Sequence, residues 1–76
     1  MNIRKELIEG IIQGIIKYLC EDKNYNIEKA MEIVYNSQIF TKVIDEETGL
    51  YKESPSFVYE LLKDELEYGK IVQREI

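Results

Sequence analysis

The strongest constraint on the fold is a run of apolar residues at helical spacing near the start of the chain. Apolar side chains recur every three or four positions, and charged or polar side chains fall between them. The members of this stripe are Ile3, Leu7, Ile8, Ile11, Ile12, Ile15, Ile16 and Leu19. The spacing predicts one long amphipathic helix, because the strict alternation of a strand is missing. Short polar residues from Asp22 to Asn24 predict its end.

Capping signals predict two further helices. Asn26 is a favourable N-cap residue, and it is followed by apolar side chains that share one helical face: Ile27, Ala30, Met31 and Val34. Ser54-Pro55 predicts the start of the last helix, because serine caps free N–H groups and proline at the first helical position loses no hydrogen bond. The apolar side chains of that helix are Phe57, Val58, Leu61, Leu62 and Leu66. Gly69 predicts its end.

The segment 38–44 fits two structures. It suits a short third helix, or residues 41–44 form a strand that pairs with residues 70–73 as a two-stranded ribbon. We therefore predict one all-α domain over residues 1–76, a bundle of three or four helices, in which the ribbon is a minor β element if residues 41–44 form a strand. A chain of 76 residues buries only about 60% of its unfolded surface. Its narrow stability margin favours self-association as a homodimer or larger oligomer.

Gly10 and Gly14 lie four residues apart on the edge of the predicted stripe. A glycine in a helix interior costs about 1 kcal/mol relative to alanine. The pair therefore predicts close helix packing, either with a helix of the same chain or with a second copy.

The composition excludes most familiar catalytic and metal chemistry. The chain has no histidine and one cysteine, Cys20, so His-dependent nucleophile systems and the usual zinc sites cannot be assembled. We therefore predict no enzymatic activity, catalytic residue, cofactor or metal site. A single cysteine cannot form an internal disulfide, and no apolar run is long enough to span a membrane. We expect a cytoplasmic protein without a membrane partner.

The formal net charge of -5 is concentrated in one segment. Acidic residues outnumber basic ones between residues 45 and 67, whereas residues 1–44 are balanced. This acidic segment predicts a basic protein partner and disfavours nucleic acid, which binds through clustered Lys and Arg. The candidate interaction surface comprises Asp45, Glu46, Glu47, Tyr51, Tyr59, Asp64 and Tyr68. Tyrosine is enriched at interfaces, although the same rings also suit the margin of a small core.

A resemblance is carried by Tyr35-Asn36-Ser37, by the sequence DEETGLY at 45–51 and by SPSFVYELL at 54–62. This pattern resembles that of a group of small bacterial proteins of about this length, encoded near toxin–antitoxin-like loci and of unknown activity. The resemblance implies a small acidic binding protein with an accessory or antitoxin-like role. The alternative is a DNA-binding regulator of winged-helix type, which the acidic character of residues 55–68 disfavours.

Overall fold

The computed structural model describes residues 3–69, which form four helices and two short 3₁₀ turns. The helices are α1 (Ile3–Lys23), α2 (Ile27–Tyr35), α3 (Gln38–Ile44) and α4 (Pro55–Tyr68). The 3₁₀ turns, Glu46–Thr48 and Leu50–Lys52, connect α3 to α4. The part of the chain that the structure describes contains no strand, which confirms the predicted all-α class.

Helix boundaries follow the capping residues. The Asn26 side chain accepts a hydrogen bond from the Lys29 N–H (2.8 Å) at the start of α2. The Ser54 hydroxyl accepts from the Phe57 N–H (3.2 Å) at the start of α4, and Pro55 occupies the first helical position. The left-handed conformation of Gly69 (φ 76°) ends that helix. The predicted boundaries at Asn26, Ser54 and Gly69 are confirmed. Each capping residue provides a partner or a conformation for backbone groups that a helix end leaves without a hydrogen bond.

The strand predicted for residues 41–44 is wrong, because this stretch is the second half of α3. The Ser37 hydroxyl caps α3 by accepting from the Phe40 N–H (3.1 Å). Ile39 and Val43, four residues apart, then fall on one face and are fully buried. The Asp45 N–H donates to the Thr41 carbonyl (3.2 Å), which closes the last helical turn over the residues predicted as a strand. Residues 70–73, the other half of the predicted ribbon, lie outside the described residues.

A carboxylate of α4 holds the first turn of α3. Glu65 Oε2 accepts a hydrogen bond from the Gln38 N–H (2.8 Å), and its Oε1 accepts from the Ile39 N–H (3.0 Å). The first N–H groups of a helix have no acceptor within that helix. A charged acceptor makes these hydrogen bonds stronger than neutral ones. Glu65 therefore ties together two helices that are separated by the 3₁₀ turns.

The core lies along the inner face of α1, between α2 and α4. Its buried side chains are Ile11, Ile12, Ile15, Ile16, Leu19, Ala30, Val34, Ile39, Val43, Val58, Tyr59, Leu61 and Leu62. Of the apolar stripe predicted for α1, only the later part, from Ile11 to Leu19, is buried in the core. Ile3 and Leu7 extend beyond the core and are 66% and 43% exposed.

Candidate protein-interaction surface

The two predicted packing glycines of α1 have different surroundings. A Cβ atom added at Gly14 would lie 2.7 Å from Cβ of Pro55, closer than real Cβ atoms approach. A Cβ atom added at Gly10 would meet nothing within 4 Å. Gly14 therefore permits close approach of α4 within the chain, whereas Gly10 faces open space.

The contact between α1 and α4, which we call the α1–α4 seam, continues from Gly14 along one side of α1. The rings of Tyr18 and Tyr59 have centroids 5.3 Å apart and are tilted by 44°. One turn further, the Tyr59 hydroxyl donates a hydrogen bond to Asp22 Oδ2 (2.8 Å). Gly14, Tyr18 and Asp22 are spaced by four residues and so form one row on the helix surface. This side of α1 is closed by α4.

Tyr59 is part of the core and not of an exposed surface. Only 7% of the residue is exposed. Burial, reinforced by the hydrogen bond and charge of Asp22, raises the pKa of the Tyr59 hydroxyl above the ordinary phenol value. A phenol with a raised pKa remains protonated at neutral pH and acts as a donor. The geometry therefore gives Tyr59 a structural role in the seam.

The opposite side of α1 borders an open apolar groove. α2 returns along α1 after a three-residue turn and presents Ile27, Met31 and Tyr35, which are 61%, 38% and 48% exposed. These side chains face Ile12 and Ile16 of α1 across a concavity of about 540 Å³. The lining of this first section is Ile12, Gln13, Ile16, Lys17, Cys20, Glu21, Ile27, Met31 and Tyr35. We call this concavity and its continuation the open groove.

The open groove continues toward the N-terminal half of α1 as a second section of about 370 Å³. Its lining is Ile8, Glu9, Ile12, Gln13, Tyr35, Phe40 and Ile44. The rings of Tyr35 and Phe40 meet edge to face with centroids 5.0 Å apart, which joins the ends of α2 and α3. Ile12, Gln13 and Tyr35 line both sections and therefore mark the middle of the groove.

Polar side chains of α1 form one rim of the open groove. Glu9, Gln13, Lys17 and Glu21 follow one another at intervals of four residues, and all are exposed. Within residues 3–69, neither Glu9 nor Lys17 takes part in an ion pair. An apolar floor with a polar rim is the common anatomy of protein–protein interfaces. The groove is therefore the surface of the described chain best suited to hold a protein segment.

The predicted acidic surface is partly engaged in contacts within the chain. Glu46 forms an ion pair with Arg4 of α1 (2.6 Å between Oε1 and the guanidinium). Asp45 caps the first 3₁₀ turn by accepting from the Glu47 N–H (3.0 Å). Asp45, Glu46 and Glu47 all remain exposed. None of the three lines the open groove.

The remaining members of the predicted surface are not brought together. Tyr51 is partly buried against the core in the second 3₁₀ turn, and Asp64 is partly buried with an interaction inside the chain. Tyr68 is 61% exposed at the last position of α4. Because Tyr51 precedes α4 and Tyr68 ends it, the two rings lie at opposite ends of a 14-residue helix. With Tyr59 in the core, these tyrosines do not form one continuous face.

Sequence reasoning missed the open groove. It placed Ile27 and Met31 on the same helical face as Ala30 and Val34, but periodicity reports which side chains share a face and not whether another element covers that face. The signal that was available is the isoleucine content of α1. Three of its isoleucines, Ile8, Ile12 and Ile16, line the groove.

Comparisons with protein-family models, with curated proteins and with solved structures found no match to this chain. Among residues 3–69, no helix is both long and apolar enough to cross a bilayer. The same residues contain no cluster of three or more carboxylate or thiol side chains arranged to hold a metal ion.

Proposed function

We propose that this chain is a protein–protein interaction module that binds its partner through the open groove. One observation carries the proposal: Ile27 and Met31 stand exposed beside Ile12 and Ile16, and no residue between 3 and 69 covers the space between them. Single exposed apolar residues are common on protein surfaces. A contiguous apolar patch with a polar rim marks a binding site.

The apolar side chains of the groove supply a driving force for binding. Full burial of one large apolar side chain contributes about 1.5–3 kcal/mol. Ile27, Met31 and Tyr35 are buried to about half on average, given exposures of 61%, 38% and 48%, so a partner gains roughly half of that amount at each. The rim charges of α1 then set the orientation of the partner, since charged groups contribute specificity more than affinity.

The acidic segment has a second role in this proposal. Its exposed carboxylates do not line the groove, and they offer a separate surface to which a basic protein is drawn by long-range attraction. The resemblance to small bacterial proteins near toxin–antitoxin-like loci supports an accessory or antitoxin-like role. Such a module acts by occupying another protein rather than by catalysis.

A DNA-binding regulator is the alternative to a protein-binding module. Binding to phosphates depends on Lys and Arg, and Lys63 is the one base between residues 55 and 68. Its ammonium lies 3.4 Å from Glu60 Oε1 and is thus partly neutralised. A mobility-shift assay at low salt distinguishes the two functions. Tight binding to DNA that weakens steeply with added salt would replace the proposed function.

Site-specific photo-crosslinking in cells of the native host tests the proposed function. Tyr35 and Tyr68 are a matched pair, because both are exposed tyrosines at the last position of a helix (48% and 61%) but only Tyr35 lines the groove. Each is replaced in turn by a benzophenone amino acid. We expect a protein adduct from position 35 and none from position 68.

The pattern of adducts decides between the surfaces. An adduct from position 68 alone would move the contact surface to the acidic segment. Absence of any protein adduct at position 35, in a variant that folds as judged by circular dichroism, would overturn the proposed function. The mass of the adduct also identifies whether the partner is a second copy of this 9.0 kDa chain.

A further inference from the structure

We propose that the occupant of the open groove is a second copy of this chain. In this arrangement the two α1 helices cross in antiparallel directions about a two-fold axis at Gln13. The inference rests on the proposed function, because it names the partner of the same groove. Two observations support it. The first is the order of charged residues along the rim, and the second is that the two sections of the groove share residues at its middle.

The rim of the open groove is self-complementary in the antiparallel direction. When Gln13 faces Gln13 of the second copy, Glu9 of each copy faces Lys17 of the other. The interface then contains two opposite-charge contacts related by symmetry, as an isologous dimer requires. A parallel arrangement would set Glu9 against Glu9 and Lys17 against Lys17. The charge order therefore selects one direction of pairing.

The spacing of the rim residues suits the crossing of two helices. Glu9, Gln13 and Lys17 form a ridge of residues four apart, and two such ridges interdigitate at a crossing angle of about 50°. Residues four positions from the crossing point lie about 6 Å along the helix axis. Side chains as long as Glu and Lys span the resulting separation. No ion pair between described residues involves Glu9 or Lys17.

The apolar floor of the groove obeys the same symmetry. Ile12, Gln13 and Tyr35 are shared by the two sections and lie at the middle of the groove. A two-fold axis through this middle lays the first section of each copy over the second section of the other. Met31 of the first section (38% exposed) and Ile44 of the second section (48% exposed) are then covered by the other copy. A single two-fold rotation therefore covers both sections of the groove and also places Glu9 of each copy opposite Lys17 of the other.

Charge reversal tests the arrangement, with association of the full chain measured by sedimentation velocity. We expect wild type to dimerise at micromolar concentration. Glu9→Lys and Lys17→Glu each create two like-charge contacts and should weaken the dimer about tenfold. The double variant E9K/K17E restores opposite charges and should regain wild-type affinity. An equimolar mixture of the two single variants should also associate, because every contact between unlike copies is then opposite in charge.

Glu53→Lys is the matched control. It makes the same charge change at an exposed residue that does not line the groove, and it should leave the dimer affinity unchanged. A wild-type chain that is monomeric at the highest soluble concentration overturns the inference. So does a dimer whose affinity neither single variant changes. If the chain is monomeric but position 35 crosslinks to a protein of different mass, this inference fails and the proposed function stands.

Discussion

The two sides of α1 differ in how completely their neighbours cover them. On the seam side, Gly14 and Tyr18 meet α4 at contact distance, and Asp22 accepts a hydrogen bond from it. On the groove side, Ile12 and Ile16 lie beside a nine-residue helix that leaves open space between the two elements. Both sides come from one amphipathic helix. The difference shows that the covering partner, and not the stripe itself, decides whether an apolar row is core or interface.

The largest expected effect on the free energy of unfolding comes from comparing a core isoleucine with an isoleucine of the open groove. Ile15 is fully buried, whereas Ile27 is 61% exposed. We expect Ile15→Ala to lower the free energy of unfolding by about 2–5 kcal/mol, because it removes buried methyl groups and leaves a cavity. Ile27→Ala should change it by less than about 0.5 kcal/mol in the monomer. Urea denaturation at a concentration below that of association measures both. Equal losses would mean that the groove is covered in the folded monomer.

The glycines of α1 provide a second contrast between the two sides. Gly14→Ala places a methyl group against the proline ring of Pro55, and we expect a loss of about 1–3 kcal/mol from overpacking. Gly10→Ala meets nothing within 4 Å, so the higher helix propensity of alanine should stabilise the chain by up to about 1 kcal/mol. Thermal unfolding followed by circular dichroism compares the two variants. A stabilised Gly14→Ala variant would show that α4 does not approach α1 closely.

The smallest expected effect concerns the hydroxyl group of the seam. Tyr59→Phe removes the hydrogen bond to Asp22, which remains solvated because it is exposed. We expect a loss of about 1 kcal/mol at neutral pH. The folded chain holds the Tyr59 proton more tightly than the unfolded chain, whose phenol has a pKa near 10. The stabilising contribution is therefore complete below pH about 10 and is lost as the pH rises above that value.

Alkaline denaturation measures this linkage. The decline in unfolding free energy above pH about 10 should be shallower for Tyr59→Phe than for wild type. Tyr68→Phe is the control, because Tyr68 is 61% exposed and lies at the end of α4. Parallel declines for wild type and Tyr59→Phe would rule out a buried, hydrogen-bonded phenol at this position.

The parts of the fold that sequence predicted are those with local causes. Asn26, Ser54 and Pro55 act on N–H groups within the next three residues, so their effects are visible in a short window. The segment 38–44 stayed ambiguous because one of its stabilising groups, Glu65, is 26 or 27 residues away. A seven-residue helix is too short to be stable alone. Its structure depends on a contact that no local pattern reveals.

The candidate surface was harder to predict than the fold. Summing charges identified an acidic segment, but a sum does not tell which carboxylates already serve the fold. Glu65 holds the first turn of α3, Asp45 caps a 3₁₀ turn and Glu46 pairs with Arg4. The floor of the open groove is apolar, so a sum of charges along the sequence does not reveal it. It arises from the relative placement of α1, α2 and α3, which depends on tertiary packing.

The contact between Glu65 and α3 also bears on when α3 can form while the chain is being synthesised. α1 and α2 are adjacent in sequence and can pair as soon as both have left the ribosome. The first turn of α3 lacks its charged acceptors until residue 65 has been translated. We therefore expect α3 to be less stable while the two 3₁₀ turns and most of α4 are being synthesised. A nascent chain that stalls before Glu65 should therefore leave Ile39 and Val43, which are buried in the folded structure, more accessible to chaperones.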